Sequence, residues 1–330
     1  MIKKSNDTFE NIISVENLLL AWYRFQIDKK NKKDVLEFKI HLMDNIFDLH
    51  NSLKNKSYIH GEYQHFTIED PKHRDIHKAT VRDRLVHHAI YRALYNYFDS
   101  KFIYDSYSCR KNKGMHKALI RFEEFSRKVS KNHTKQCWIL KCDIKKFFAS
   151  INHKILLEIL NKYICDEDII WLIEKVVESF YSTEYGNGLP LGNLTSQLLV
   201  NIYMNEFDQY VKHKLKAGYY IRYADDFIFV DTNKENLQKL LADVGHFLSE
   251  KLKLTLHPNK VFIKSYSSGV DFLGWVHFPK HRVLRTSTKN RMFRRLENDF
   301  RVEVINSYLG LLKWGNTYKI SKSTALLKKR

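Results

Sequence analysis

The spacing of apolar residues along the chain predicts helices that alternate with short strands. Apolar side chains recur at the helical interval over residues 11–57, 82–98, 115–131, 153–161, 166–181, 195–216 and 236–252. Apolar or alternating runs predict strands over residues 63–68, 137–143, 261–264 and 272–278. The stretch after Arg285 again has a helical pattern. Together these elements predict an α+β fold with an antiparallel sheet flanked by helices.

Two adjacent acids interrupt another apolar run. Residues 219–230 have the pattern of a β hairpin, and Asp225 and Asp226 fall where its turn is expected. Two carboxylates inside a run that should be buried are costly unless they are paired with cations or bind metal. A third acid, Asp143, ends the predicted strand over residues 137–143. A salt-bridged turn is the alternative to a metal site.

The charge of the chain points to a polyanionic partner. The 330 residues carry a formal net charge of +19, and they include 11 Gly and 4 Pro, too few for long flexible linkers. No apolar run reaches the roughly 18 residues that span a bilayer, and the first residues turn polar at once, so we expect no signal peptide. An amphipathic segment suited to a membrane surface is also missing. We therefore expect an intracellular protein that binds nucleic acid, with a generally basic protein as the alternative.

Three carboxylates at strand ends and turns suit one kind of chemistry. Nucleotidyl transfer asks little covalent work of a protein, but it requires two divalent ions a few ångströms apart. Mg²⁺ is a hard cation that takes carboxylate, phosphate and water oxygens as ligands. We therefore expect Asp143, Asp225 and Asp226 to form a metal site.

The acidic pair lies in Tyr223-Ala224-Asp225-Asp226, which resembles the YxDD box of reverse transcriptases. Four further motifs resemble that family in the same order, within residues 60–280. They are a first catalytic motif over residues 141–148, the loop Gly188-Leu189-Pro190-Leu191-Gly192, a segment over residues 252–260 that ends in Lys260, and Phe272-Leu273-Gly274-Trp275. The resemblance implies a right-hand polymerase with a helical extension over residues 1–59, fingers and palm over 60–282, and a helical thumb over 283–330.

The resemblance also implies a role for each matching residue. Asp143, Asp225 and Asp226 would bind Mg²⁺, with Mn²⁺ as an alternative, and the Ile144 carbonyl would complete the shell of one ion. Lys260 would neutralise or protonate the leaving pyrophosphate. The residues expected to contact the dNTP are Lys72, Arg74, Ile144, Lys146, Phe147, Phe148, Leu191 and Gly192. The expected primer grip comprises Phe272, Leu273, Gly274 and Trp275.

Several of these residues have simpler explanations as well. Phe148 would lie beneath the sugar and exclude a 2′-hydroxyl, and core packing is the alternative. Lys72 and Arg74 would clamp the triphosphate, whereas a solvated basic turn would look the same in sequence. Lys260 could be an ordinary surface lysine. The basic residues of the tail would follow a duplex backbone without reading its sequence.

Two departures from the common reverse transcriptase pattern narrow the resemblance. Leu191 stands where most members carry Gln, and Ser196-Gln197 stands where many carry Ser-Pro. Both features resemble reverse transcriptases of diversity-generating retroelements, which copy a template RNA with frequent errors opposite adenine and act with an accessory variability determinant protein. The resemblance implies mutagenic retrohoming, with template RNA, a cDNA or primer strand and dNTPs as partners, in the cytoplasm of a bacterial, archaeal or phage-encoded system.

Other interpretations of the sequence stay open. A retron or abortive-infection reverse transcriptase would share the acids but differ in the loop around Leu191. A non-catalytic nucleic-acid-binding protein on the same fold would belong to a different functional class, and the intact acids argue against it.

Overall fold

The structure is a computed structural model that describes residues 4–69 and 73–326. Its α-helices are α1 (Phe9–Ile13), α2 (Val15–Phe25), α3 (Lys33–Ile40), α4 (Leu42–Lys54), α5 (Val81–Asp99), α6 (Met115–Val129), α7 (His153–Tyr163), α8 (Glu167–Glu178), α9 (Leu194–Gln209), α10 (Lys234–Leu252), α11 (Thr286–Asn298), α12 (Val302–Leu312) and α13 (Tyr318–Leu326). Its strands are β1 (Gln64–Ile68), β2 (Arg74–Lys78), β3 (Trp138–Asp143), β4 (Tyr220–Tyr223), β5 (Asp226–Asp231), β6 (Phe262–Ser265), β7 (Val270–Phe272), β8 (Trp275–Phe278) and β9 (His281–Leu284).

The chain divides into two compact units. The first unit contains Met1–Tyr104, Ile144–Lys214 and His246–Thr255. The second unit contains Asp105–Asp143, Leu215–Gly245 and Leu256–Arg330. The chain thus passes between the units several times, so neither unit is one continuous stretch of sequence. The sequence was divided by expected function, not by compactness, into the segments 1–59, 60–282 and 283–330. That division stays a proposal.

The first unit is largely helical. Its helix α2 is capped by the Ser14 side chain and buries Leu18, Trp22 and Phe25, and it packs along α5. Helix α9 is buried around most of its circumference, as expected of a helix at the centre of a unit. Strands β1 and β2 form a two-stranded antiparallel hairpin in which Ile68 pairs with Arg74. We call β1–β2 the exposed hairpin because every residue of β1 is solvent-exposed.

The second unit is built on a four-stranded sheet in the order β4-β5-β3-β6. All of its pairings are antiparallel, and β5 pairs with β4 on one side and β3 on the other. The middle of β3 and of β5 is buried on both faces, which explains their nearly continuous apolar sequence. Side chains of Ile139, Ile221 and Ile228 join Phe122 of α6 in the core. We call β4–β5 the acidic hairpin.

The α+β prediction, with an antiparallel sheet flanked by helices, is confirmed. One predicted element was wrong: residues 272–278 are two strands, β7 and β8, on either side of a turn, instead of one strand. Strand β9 then completes a small three-stranded sheet. Within the described residues, none of the helices has the length and apolar character needed to cross a membrane.

Candidate active site

Two of the predicted acids lie opposite each other in the sheet of the second unit. Asp143 is the last residue of β3, Asp226 is the first residue of β5, and the two are Cα partners in the ladder. Opposite residues of an antiparallel pair bring their Cβ atoms to within about 5 Å. Asp226 also pairs with Tyr223 across the acidic hairpin, so Ala224 and Asp225 form a two-residue loop. The three acids therefore lie at one end of the sheet.

The loop that carries Asp225 has a strained backbone. Ala224 has a φ of 56°, in the left-handed region that two-residue hairpin loops require. Glycine is the usual residue there, because a Cβ in this conformation costs about 1–2 kcal/mol. Strain of this size persists only where surrounding contacts hold the backbone in place, and it is often found at functional sites.

Each of the two paired acids contacts a lysine. Lys260 Nζ donates to Asp143 Oδ1 at 2.8 Å, and Lys141 Nζ lies 3.2 Å from Asp226 Oδ2. The His257 amide donates to the Asp143 carbonyl at 2.7 Å, which fixes the Lys260 segment to the end of β3. Lys260 is half-exposed, whereas Lys141 is buried. Lys141 was not among the predicted site residues, although its place two residues before Asp143 puts both side chains on one face of the strand.

Asp226 is in an unusual state for a carboxylate. Burial raises its pKa to about 7; Lys141 opposes this shift, and Asp225 and Asp143 add to it. The side chain as a whole keeps 18% of its exposure, yet its Oδ1 atom is buried and has no hydrogen-bond partner among the described residues. A buried oxygen without a partner is costly. A cation bound at this oxygen would remove that cost.

The donor set fits a hard divalent cation, because carboxylate oxygens are the ligands that Mg²⁺ and Mn²⁺ prefer. In residues 4–69 and 73–326, no three His, Cys, Asp or Glu side chains are grouped closely enough to enclose an ion. Lysine ammonium groups instead contact Asp143 and Asp226. Ion binding would therefore require these lysines to give up at least part of their contacts. Lys260, at 44% exposure, can turn into solvent more easily than Lys141.

The first unit carries the residues expected to contact the dNTP. Ile144 and Phe147 are buried, Phe148 is partly buried, and Lys146 is exposed with a φ of 46°. A 3-10 turn over Phe147–Ser150 follows, and the Leu189 amide donates to the Phe148 carbonyl at 2.8 Å. Phe148 is thus joined to the glycine-rich loop by a backbone hydrogen bond.

The same loop is fixed to the exposed hairpin. The His77 amide of β2 donates to the Leu191 carbonyl at 3.1 Å, and Asn193 Nδ2 donates to the His77 carbonyl at 2.9 Å. Leu191 is partly buried and Gly192 is exposed. Arg74, at the start of β2, is exposed to solvent. Lys72 lies outside the described residues. These hydrogen bonds between His77 and the glycine-rich loop could not be predicted from the position of His77 in the sequence.

The expected primer-grip residues form a tight hairpin in the second unit. Phe272 and Trp275 are paired and buried, and they enclose a two-residue turn. Leu273 and Gly274 both have positive φ, 49° and 85°, which is the signature of a type I′ turn. The hairpin shape expected from the motif is therefore present, and its contact with a primer stays a prediction.

The profile of the reverse transcriptase (RNA-dependent DNA polymerase) family matches residues 68–277. This is more than half of the chain, so the chain belongs to the reverse transcriptase family. The group II intron-encoded protein LtrA of Lactococcus lactis subsp. cremoris is 24% identical over 310 residues, covering 73% of this chain and 50% of that protein. The retron Ec73 reverse transcriptase of Escherichia coli is 31% identical over 149 residues, covering 39% of this chain and 44% of that protein.

The chain thus spans half or less of the length of these two relatives. Among solved structures, an apo telomerase from Candida tropicalis, truncated from its C-terminal domain, matches 74% of this chain and 60% of its own chain. The TM-score is 0.51 at 14% identity, so this likeness concerns the fold alone. With the family match, it confirms the predicted right-hand polymerase fold class.

Proposed function

We propose that this chain is an RNA-directed DNA polymerase that copies a template RNA by adding dNTPs to a primer or cDNA strand. The observation that carries the proposal is the Asp143–Asp226 pair, with its buried, unpartnered oxygen, beside the two-residue loop that carries Asp225. These three residues would hold two Mg²⁺ ions, with Mn²⁺ as an alternative. When bound, the ions supply activation of the primer 3′-hydroxyl and neutralisation of triphosphate charge.

The two lysines would act differently in the reaction. Lys141 is buried beside Asp226 and keeps part of the local negative charge neutralised. Lys260 is exposed enough to leave Asp143, and its ammonium group can then donate a hydrogen bond or a proton to the leaving pyrophosphate. In the first unit, the exposed Arg74 offers a planar fork of donors that suits phosphate oxygens.

Primer extension on an RNA template with Asp225→Asn tests the enzymatic proposal. We expect extension to fall by at least about 1000-fold, because an amide is a far weaker ligand than a carboxylate for a hard ion. Asp231→Asn is the matched control, since Asp231 lies at the other end of β5, where its Oδ1 accepts from the Asn233 amide and the Thr232 hydroxyl. Full activity of Asp225→Asn, or equal losses in both variants, would show that the acids are not the metal site and would favour a non-catalytic nucleic-acid-binding protein.

For the subfamily, the proposal is a diversity-generating retroelement enzyme that serves mutagenic retrohoming with an accessory variability determinant. Support comes from Leu191 and from the Ser196-Gln197 pair at the start of α9. The His77 contact holds the backbone of Leu191 in place, so the identity of its side chain decides what this position offers to a substrate. A Gln could hydrogen-bond to an incoming nucleotide, whereas Leu provides only dispersion contact. Loss of a polar contact lowers selectivity, and errors opposite template adenine should rise.

The Leu191→Gln variant tests this part of the proposal through misincorporation opposite template adenine. We expect the error frequency to fall by about tenfold, the effect of one hydrogen bond of about 1.4 kcal/mol. Leu189→Met serves as the control because Leu189 lies in the same loop, is buried, and would keep its volume. An unchanged error frequency in Leu191→Gln would argue against the subfamily assignment.

A retron-type enzyme is the second candidate, favoured by the 31% identity to the retron Ec73 reverse transcriptase. The genes beside this one distinguish the two candidates. A template repeat next to a gene with a matching variable repeat supports a diversity-generating retroelement, and their absence supports the retron type.

A further inference from the structure

A buried arginine lies beneath the turn of the acidic hairpin. Arg222, in β4, has an exposure of 0% and is among the largest fully buried side chains of the described residues. A guanidinium group stays protonated in proteins, and burying it is expensive unless its N–H groups find acceptors. Its position three residues before Asp225 suggests a connection with the site, and its contacts show what that connection is.

The guanidinium of Arg222 bridges the turn and a neighbouring segment. Nη1 donates to the Ala224 carbonyl at 3.1 Å, and Nη2 donates to Ser106 Oγ at 3.1 Å. The Ala224 carbonyl belongs to the planar peptide group that ends on the Cα of Asp225. A hydrogen bond to this carbonyl therefore sets the orientation of the peptide plane, and with it the direction in which the Asp225 side chain leaves the turn.

The other end of the bridge is fixed by the backbone. Residues 105–107, which we call the edge segment, run parallel to β4 through a bridge between Ser106 and Arg222. The Arg222 amide donates to the Asp105 carbonyl and the Tyr107 amide donates to the Arg222 carbonyl, each at 3.0 Å. Ser106 itself is fully buried. The arginine thus transfers the rigidity of a paired segment to a strained two-residue loop.

Asp225 and Asp226 differ in what holds them. Asp226 is a ladder residue, paired with both Tyr223 and Asp143, so the sheet positions its backbone. Asp225 lies in the loop, where the left-handed Ala224 leaves several orientations of the following peptide plane open in principle. The Arg222 hydrogen bond selects one of them.

We propose that Arg222 is a positioning residue that orients Asp225 for metal binding, with Ser106 as its anchor. This inference rests on the proposed function for its catalytic consequence. Arg222→Lys keeps the charge but lacks the planar fork that joins the Ala224 carbonyl to Ser106 Oγ, and Ser106→Ala removes the anchor while leaving the arginine in place.

The experiment measures single-nucleotide addition, the thermal midpoint and hydrogen exchange at the Asp225 amide in the metal-free protein. For Arg222→Lys we expect kcat to fall by about 100-fold, the scale of a misplacement of about 1 Å. KM for the dNTP should stay within about two-fold of wild type, since uniform substrate binding is not affected. Exchange at the Asp225 amide should become faster, while the thermal midpoint changes little. Ser106→Ala should lower kcat by about tenfold and add nothing to Arg222→Lys, as expected for residues in one network.

Arg121→Lys is the matched control. Arg121 Nε donates to Asp105 Oδ1 at 2.8 Å, so this arginine supports the same edge segment through a side chain rather than through the turn. Its replacement should leave kcat within about two-fold. Equal losses in Arg121→Lys and Arg222→Lys, or wild-type exchange at Asp225 in Arg222→Lys, would overturn the proposal. If the wild-type protein itself adds no nucleotide, the proposed function fails, and the exchange measurement alone still decides whether Arg222 orders the turn.

Discussion

The acidic hairpin and the exposed hairpin have the same two-stranded topology and opposite surroundings. In the acidic hairpin the strands are buried within a four-stranded sheet, and its charged groups contact other charged or polar groups of the second unit. Among the described residues, the exposed hairpin forms a sheet of just two strands, and every residue of β1 is exposed to solvent. Buried charges need partners within the protein, whereas exposed charges are satisfied by water.

This difference determines how each hairpin can serve a reaction. A buried carboxylate has its position set by the sheet and its affinity for a cation raised by the cost of leaving it unpaired. An exposed arginine such as Arg74 contributes little to folding, and its contacts are available to a charged ligand. Removing a buried cation that contacts the acidic hairpin should therefore mainly lower stability, whereas removing an exposed cation of the exposed hairpin should mainly weaken substrate binding.

The largest effect is expected for Lys141→Met in β3, whose side chain contacts Asp226 of the acidic hairpin. Removing this buried ammonium leaves Asp226 without its cation, and breaking a buried ion pair in this way costs about 3 kcal/mol in free energy of unfolding. The loss should be greatest at high pH and shrink as pH falls toward about 7, because removing Lys141 raises the pKa of Asp226 further and the carboxyl group then becomes neutral by protonation. Urea unfolding in the presence of a chelator measures it. Lys145→Met, at an exposed site, should change stability by less than about 0.5 kcal/mol, and equal losses at the two lysines would contradict the comparison.

Arg74→Met should show the opposite behaviour. We expect KM for the dNTP to rise about tenfold, as for the loss of one charge-assisted hydrogen bond, while the free energy of unfolding changes by less than about 0.5 kcal/mol. Steady-state primer extension and urea unfolding check the two halves. Arg74→Lys keeps the charge without the planar fork and should lie between wild type and Arg74→Met. A loss of stability without a change in KM would reverse the assignment for this hairpin.

Ala224→Gly should stabilise the acidic hairpin. Glycine adopts the positive φ of this turn without the Cβ penalty, so the free energy of unfolding should increase by about 1 kcal/mol. Ala224→Val should destabilise the protein, because a β-branched residue tolerates this backbone poorly. Thermal or urea unfolding of the metal-free protein distinguishes the two. If both variants destabilise the fold, the turn is not strained by its Cβ.

The smallest effect is expected at the base of the exposed hairpin, where Lys78 Nζ and Arg84 Nη2 contact Asp34 Oδ2 at 2.7 and 2.6 Å. Burial alone would raise the pKa of Asp34, but the hydrogen bonds from Lys78 and Arg84 outweigh it and lower the pKa. The contacts of Lys78 and Arg84 with Asp34 therefore stabilise the fold at pH values above the ordinary Asp pKa. This contribution is lost as pH falls through the lowered pKa of Asp34. Asp34→Asn should cost less than about 1 kcal/mol at pH 7, and the difference from wild type should vanish at low pH. A difference that is independent of pH would exclude the ionic contribution.

Much of the acidic hairpin could be predicted from sequence. A buried strand has a nearly continuous apolar sequence, so the acidic hairpin and the neighbouring β3, with Asp143 at its end, were predicted. Asp225 lies in the turn as predicted, whereas Asp226, which we also expected in the turn, is the first residue of β5. The apolar pattern alone did not predict the split of residues 272–278 into β7 and β8, because Leu273 in the turn continues the strand pattern. The resemblance of Phe272-Leu273-Gly274-Trp275 to a primer-grip hairpin did imply a turn there.

The contacts that a buried side chain makes were harder to predict than the secondary-structure element in which it lies. Lys141 and Arg222 each look like a single charge in an apolar strand, and nothing local to either residue says which distant atom it contacts. The contact of Arg222 with Ser106 joins residues that are 116 positions apart. The attachment of Leu191 to His77 depends in the same way on a pairing between a loop and a remote strand. Such contacts follow from the folded topology, which periodicity along the chain does not specify.

The two-residue loop of the acidic hairpin also limits how this gene can change. Loops elsewhere on a protein surface accept insertions and deletions, but one residue added between Tyr223 and Asp226 would shift the register of β5 by one position. Phe227 and Ile228 would then exchange faces of the sheet, and Asp226 would no longer lie opposite Asp143. Length variants at this point should be absent from any natural population of functional copies, so the spacing itself is as much a heritable part of the site as the acids are.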